Sequence, residues 1–109
     1  MKDSEIEQEI IEKGLTAPRV TTQTIDELVG SLKYHSWQVP ETTTTLVAAE
    51  LDDGFIVAIG KAASVSKENF NAEIGYKIAR DDAERKARDK LWELKGWELK
   101  QNLKQGMAA

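Results

Sequence analysis

The sequence predicts an α+β fold: an antiparallel hairpin or small sheet packed on a long C-terminal helix, with two short helices at the N-terminus. Three observations predict it. Two apolar-rich runs, Thr43 to Leu51 and Phe55 to Lys61, flank the turn Asp52-Asp53-Gly54. Ala79, Ala83, Ala87 and Leu91 recur every fourth residue, the ridge of a helix that lies close to its neighbour. Isoleucines and leucines at helical spacing mark two short segments before the hairpin.

A chain of 109 residues makes one domain, 1–109, read as a helical arm over 1–14 and a core over 15–109. The absence of cysteine excludes disulfides and thiol chemistry. No apolar run reaches the roughly 18 residues of a membrane span, and the acidic start MKDSEIEQEI lacks the apolar block of a secretory signal. The net charge is −4, unevenly spread. Residues 1–60 hold four basic and eleven acidic side chains, and residues 61–109 hold eleven and eight. Such a chain lacks the concentrated basic face that duplex nucleic acid requires, but a local cation cluster suits a small anionic ligand.

Taken in order, residues 4–13 read as a helix with a Ser4–Glu7 capping box and Gly14 just past its end. It is marginal alone, and frays or docks on a neighbouring subunit. GLTAPRV, Gly14 to Val20, is a linker, because Pro18 disfavours helix at Ala17. A second helix runs to about Tyr34, with Ile25, Leu28, Val29 and Leu32 on one stripe. Thr21 and Thr24 compete as its N-cap. Thr21 is favoured because it also sets Val20 against Ile25 as a hydrophobic staple.

His35 to Glu41 reads as a loop. In the hairpin, a three-residue turn with left-handed Gly54 pairs Leu51 with Phe55. It places Val47, Ala49, Leu51, Phe55, Val57 and Ile59 on an apolar face, and Leu46, Ala48, Glu50, Ile56, Ala58 and Gly60 on the other. The small residues of that second face allow close approach of another backbone or a ligand. The long helix then spans about Phe70 to Lys95, Gly96 ends it, and a short helix runs from Trp97 to about Gln105. Gly75 costs this helix about 1 kcal/mol relative to alanine, so something must come close there. Two strands do not make an independently stable sheet. Either a third strand lies in Ser36–Glu41, or another subunit completes the hairpin, and this shortage argues for a homo-oligomer.

No catalytic constellation emerges from the residues, and the expectation is a protein that is not an enzyme, with no cofactor and no metal. His35 is a lone loop histidine, too little for a metal site. Asp52 and Asp53 are accounted for by turn chemistry, and Asp81 and Asp82 by salt links along a helix. Trp92 is expected in the core, and Trp97 is expected to pack back on Trp92, with stacking on a ligand as the alternative. The best candidate for an anion site is the start of the long helix, against the plain reading of a well-capped surface helix with solvated charges. Asn69 and Asn71 supply caps, the first-turn amides favour negative charge, and Tyr76, Lys77 and Arg80 follow.

GLTAPRV, DGF, ENFNAEIGYKIAR and KLWELKGW together resemble a family of small accessory proteins of tailed bacteriophages, the gp-forty-nine/gp-sixty-six family, over roughly residues 13–100. The stretch around ENF-x-AEIG-x-KIAR carries most of the likeness. The family pattern has arginine where this chain has Tyr76, and its spacing from Arg80 to Trp92 is about four residues shorter, close to one helical turn. The layout also resembles that of phage anti-Thoeris sponge proteins, which are oligomers that sequester cyclic-nucleotide immune signals. That resemblance implies that Arg80 and Lys77 meet phosphates while Phe55 or Tyr76 stacks a base. The resulting expectation is an oligomeric, non-enzymatic phage protein of the host cytoplasm that sequesters a cyclic nucleotide. The alternatives are an inhibitor of a host enzyme acting through the acidic half (Asp3, Glu5, Glu7, Glu9, Glu12), or a minor structural phage protein.

Overall fold

The computed structural model describes residues 2–15 and 17–106; Thr16 of the expected linker lies outside them. Three α-helices and a three-stranded antiparallel sheet follow in the order α1 (Asp3–Glu12), α2 (Thr22–Gly30), β1 (Lys33–Gln38), β2 (Thr44–Glu50), β3 (Ile56–Ala63) and α3 (Ala72–Lys104), with a 3-10 turn at Lys67–Asn69. The sheet is a meander, β1-β2-β3. One face is covered by α3, and α2 packs beside α3.

The sequence reading holds at several local signals. Thr21 caps α2, its Oγ1 accepting from the Thr24 N–H at 3.2 Å. Gly54 has φ 87° and the Leu51 N–H donates to the Phe55 carbonyl, so the three-residue turn forms. Asp53 accepts from the Phe55 N–H, a turn role.

Four corrections follow from tertiary context. First, α2 stops at Gly30, and Lys33–Gln38, read as helix end and loop, is β1. The third strand therefore belongs to the chain itself, and a shortage of strands no longer argues for an oligomer. Second, Glu50 pairs with Ile56 but Ala49 pairs with Ala58, leaving Val57 as an extra residue in a bulge. The bulge reverses the alternation beyond it. Ala58, Gly60 and Ala62 therefore turn towards α3, while Ile59 emerges on the open face at 55% exposure. Third, α3 runs through Gly96 without a break. The helix-forming WELK on each side carries it across a glycine whose absent Cβ would touch nothing. Trp97, on this continuous helix, is 66% exposed rather than core. Fourth, Glu5, not Glu7, reaches back to cap α1 at the Lys2 N–H, which frees Glu7 for another contact.

The core is thin because its centre is built from small residues. Ile25, Val47 and Leu91 are its largest fully buried side chains, and Ala49, Ala79, Ala83 and Ala87 are fully buried with them. A Cβ on Gly60 would lie 2.1 Å from the Ala79 carbonyl oxygen and 2.3 Å from the Ala83 nitrogen, so helix and strand backbones are in direct contact. Gly75 extends the same ridge, where a Cβ would come 3.1 Å from Thr45 Oγ1. It answers to the sheet rather than to a ligand. At 1.5 Å per residue the helix is about 50 Å long against strands of about 23 Å, which produces a molecule of 55 × 29 × 18 Å with an overhanging helix.

Two glycine substitutions separate these environments. Gly60→Ala should cost about 3 kcal/mol or more, because two backbones must part. Gly96→Ala should stabilise by about 0.5–1 kcal/mol, because the site is helical and open. Urea denaturation of both variants measures the difference.

Candidate functional site

The six residues expected to bind a ligand fall in four places. Asn71 caps α3, its Oδ1 accepting from the Ile74 N–H at 3.0 Å. With Asn69, Phe70, Ile74 and Ile78 it lines a hollow of about 220 Å³ beside the end of β3. Tyr76 and Arg80 lie on the β1-facing flank of α3. The Arg80 guanidinium stacks 4.4 Å from the centre of the Tyr34 ring and comes within 3.8 Å of Glu84. Burial and the Glu84 charge push the Tyr34 hydroxyl pKa up, so it stays a neutral donor at physiological pH. Lys77 points to solvent and pairs with Glu73 at 3.4 Å. Phe55 sits at the turn end of the β2–β3 hairpin, whereas the Asn69–Asn71 hollow is at the other end, about 20 Å away at 3.3 Å per residue. One small ligand cannot bridge that distance, so Phe55 does not join the others.

The acidic N-terminal half is partly engaged within the fold. Asp3 accepts from Arg88 at 3.1 Å and from the Trp92 indole N–H at 3.2 Å. Arg88 also reaches Asp26 at 2.9 Å. Glu7 pairs with Arg19 and accepts from the Thr22 N–H at the start of α2. These contacts dock α1 on its own chain, over an apolar hollow of about 350 Å³ lined by Ile6, Ile10, Val20 and Trp92. The charges left outward on α1 are Glu5, Glu9 and Glu12.

The face of the sheet away from α3 carries exposed apolar side chains. By register it presents Lys33, His35 and Trp37 from β1, Leu46, Ala48 and Glu50 from β2, and Ile56, Ile59 and Lys61 from β3. Trp37 is 58% exposed and Ile56 is 45% exposed. His35 Nε2 lies 2.6 Å from Glu50 at one end of this surface. The sequence did hold a signal for it: in KYHSWQ, Tyr34 turns to the helix side while His35 and Trp37 turn away, a period of two that the helical reading obscured.

The two sheet edges differ. On β3, the outward Lys61 N–H is taken by Asp82 at 3.0 Å. Lys86 and then the Lys61 amide hold the Asp82 carboxyl below the usual range, so it is a charged guard of this edge. No comparable side chain takes the outward groups of β1 among the described hydrogen bonds.

Among the described residues, no group of histidine, aspartate and glutamate side chains is arranged to hold a metal ion, and no helix is long and apolar enough to cross a membrane. Fold and surface describe a small α+β protein with one sheet face left uncovered by its helices. The family model of the phage protein (N4 Gp49/phage Sf6 gene 66) family matches residues 20–103. The chain therefore belongs to that phage protein family. No curated protein and no solved structure matches, and nothing found supports the likeness to anti-Thoeris sponge proteins.

Docking of α1 should depend on pH. Hydrogen bonds from Arg19 and from the Thr22 amide lower the Glu7 pKa from 4.5 to about 2. Because the folded value is the lower one, the pairing contributes fully above pH 4.5 and is lost as the pH falls towards about 2. Amide protection factors of α1, corrected for the intrinsic pH dependence of exchange, should fall as the pH is lowered through that window, and Glu7→Gln should lower them at neutral pH.

Proposed function

We propose that this phage protein is a non-enzymatic binding protein of the host cytoplasm, and that it engages a host protein through the open face of its sheet. The observation that carries this reading is the exposed Trp37, Ile56 and Ile59 around half-buried Leu46 and Ala48, held on a sheet whose other face packs on α3. Exposed aromatic and aliphatic side chains at the centre of a polar rim are the usual makings of a protein interface. The rim is of mixed charge: Lys33 and Lys61 stand against Glu50, with exposed Glu41, Asp52 and Asp53 in the loops at the two ends. It fits a partner whose apolar surface is edged by charges of both signs. An acidic-arm inhibitor is less well supported, since Asp3 and Glu7 are engaged internally.

A second reading keeps the cyclic-nucleotide ligand, and one observation favours it. Arg80, Tyr76 and Tyr34 do gather on one flank, where a stacked guanidinium can present its edge to a phosphate. Glu84 and the Glu73 beside Lys77 oppose an anion there.

Host-lysate capture with the purified protein separates the two. Ile59→Asp should abolish stoichiometric retention of a host protein at unchanged melting temperature, while replacing Glu5, Glu9 and Glu12 by glutamine should not. Retention unaffected by Ile59→Asp contradicts the open-face reading. A rise in melting temperature with cyclic nucleotides, lost in Arg80→Ala, establishes the second.

A further inference from the structure

We infer that β1 is a homodimerisation strand: two copies pair β1 against β1 in antiparallel fashion and form one continuous six-stranded sheet.

Half of the backbone groups of β1 are free. The Val39 N–H donates to the Thr44 carbonyl, and in an antiparallel ladder bonded pairs alternate. Val39, Trp37, His35 and Lys33 therefore bond inward to β2, and the N–H and C=O groups of Tyr34, Ser36 and Gln38 face outward. None of the described hydrogen bonds engages those six groups. The strand has no proline, no bulge and no carboxylate guard, and five of its six residues are exposed. Unprotected edges of this kind are templates for another strand. The opposite edge is closed to the same use, because Asp82 occupies the Lys61 N–H and the bulge at Val57 twists the start of β3.

A second copy fits this edge better than an unrelated strand does. Centred on Ser36, antiparallel pairing sets Ser36 against the partner's Ser36 and Tyr34 against the partner's Gln38. All six free groups then bond, and the same face of each sheet points the same way. Across the open face His35 meets the partner's Trp37, and no like charges are directly opposed. Lys33 at the start of one strand comes towards the partner's Glu41, just past the end of the other. Neither residue takes part in a described ion pair. A shift of one pair in the other direction would instead stack His35 on the partner's His35. In the favoured register Trp37 and the partner's Trp37 become diagonal neighbours about 7–8 Å apart.

The consequence deepens the proposed function and rests on it. The open face of one chain measures roughly 14 by 23 Å, about 300 Å² in plan, and a standard interface takes about 800 Å² per partner. Pairing doubles the face and centres it on two tryptophans. The dimer itself does not depend on that use: sedimentation reads the pairing, and host-protein capture reads the face.

The chain has no cysteine, so a single introduced thiol reports unambiguously. Bonded antiparallel residues have Cα atoms about 5.5 Å apart, within disulfide range. Under mild oxidation Ser36→Cys should form a covalent dimer on the order of tenfold faster than Ala63→Cys on the β3 edge. Ser36→Pro deletes one outward N–H while leaving the inward ladder intact. It should sediment as a monomer with wild-type circular dichroism, where the wild type sediments as a concentration-dependent dimer. Equal cross-linking at the two positions, a wild type that stays monomeric to millimolar concentration, or a Ser36→Pro variant that still dimerises each overturns the proposal. If Ser36→Pro does not fold, the cysteine pair alone decides.

Discussion

The architecture depends on one contact: the backbone of α3 against the backbone of β3 at Gly60. With the Ala79 oxygen and Ala83 nitrogen where a Cβ would be, no other residue fits this position without separating the two layers. The alanine ridge and Gly75 serve the same approach. The four-residue row runs oblique to the helix axis and follows the twist of the sheet, so the helix stays close from Thr45 to the level of Val57. Dispersion and excluded water gained along that seam substitute for the bulky core that a chain this short lacks.

Packing of this kind decides what remains for function. A helix lying over β2 and β3 covers one face of the sheet and leaves the other open, and it leaves β1 as the uncovered edge. On the β3 side it supplies Asp82 as a guard. On the β1 side it supplies Arg80, whose guanidinium lies over the Tyr34 ring, and the half-buried Tyr76. The N-terminal helix α1 is held by a separate, polar device: Arg88 and Trp92 grip Asp3, and Glu7 grips Arg19 and the start of α2. Electrostatics therefore tether the arm, and close packing fixes the sheet.

Much of this was legible in the sequence. Turn and cap chemistry is local, which is why Gly54, Thr21 and Asn71 were read correctly. The alanine ridge named the buried side of α3 residue by residue. The failures share a cause in non-local context. The bulge at Val57 is invisible without the partner strand, and it moved Ile59 from core to surface. KYHSWQ reads as the end of a helix and the start of a loop, with a strand over Ser36–Glu41 only an alternative, until β2 is present to pair with it. Gly96 has the composition of a stop, yet the helix on both sides carries through it. The expected ligand site suffered most: sequence proximity grouped Asn69 to Arg80, but a helix turns 100° per residue, and its side chains face three directions. Phe55 joined the group only by analogy and lies at the far end of the hairpin.

The central claim is the direct backbone contact between β3 and α3, and nuclear Overhauser spectroscopy of the purified protein tests it most directly. A strong cross-peak is expected from the Gly60 Hα proton that occupies the Cβ direction to the backbone protons of Ala83, whose N and Cα lie against that position. Its absence, with Gly60 instead close to side-chain methyl groups or to water, would contradict the close-packed seam and the placement of both sheet edges that follows from it.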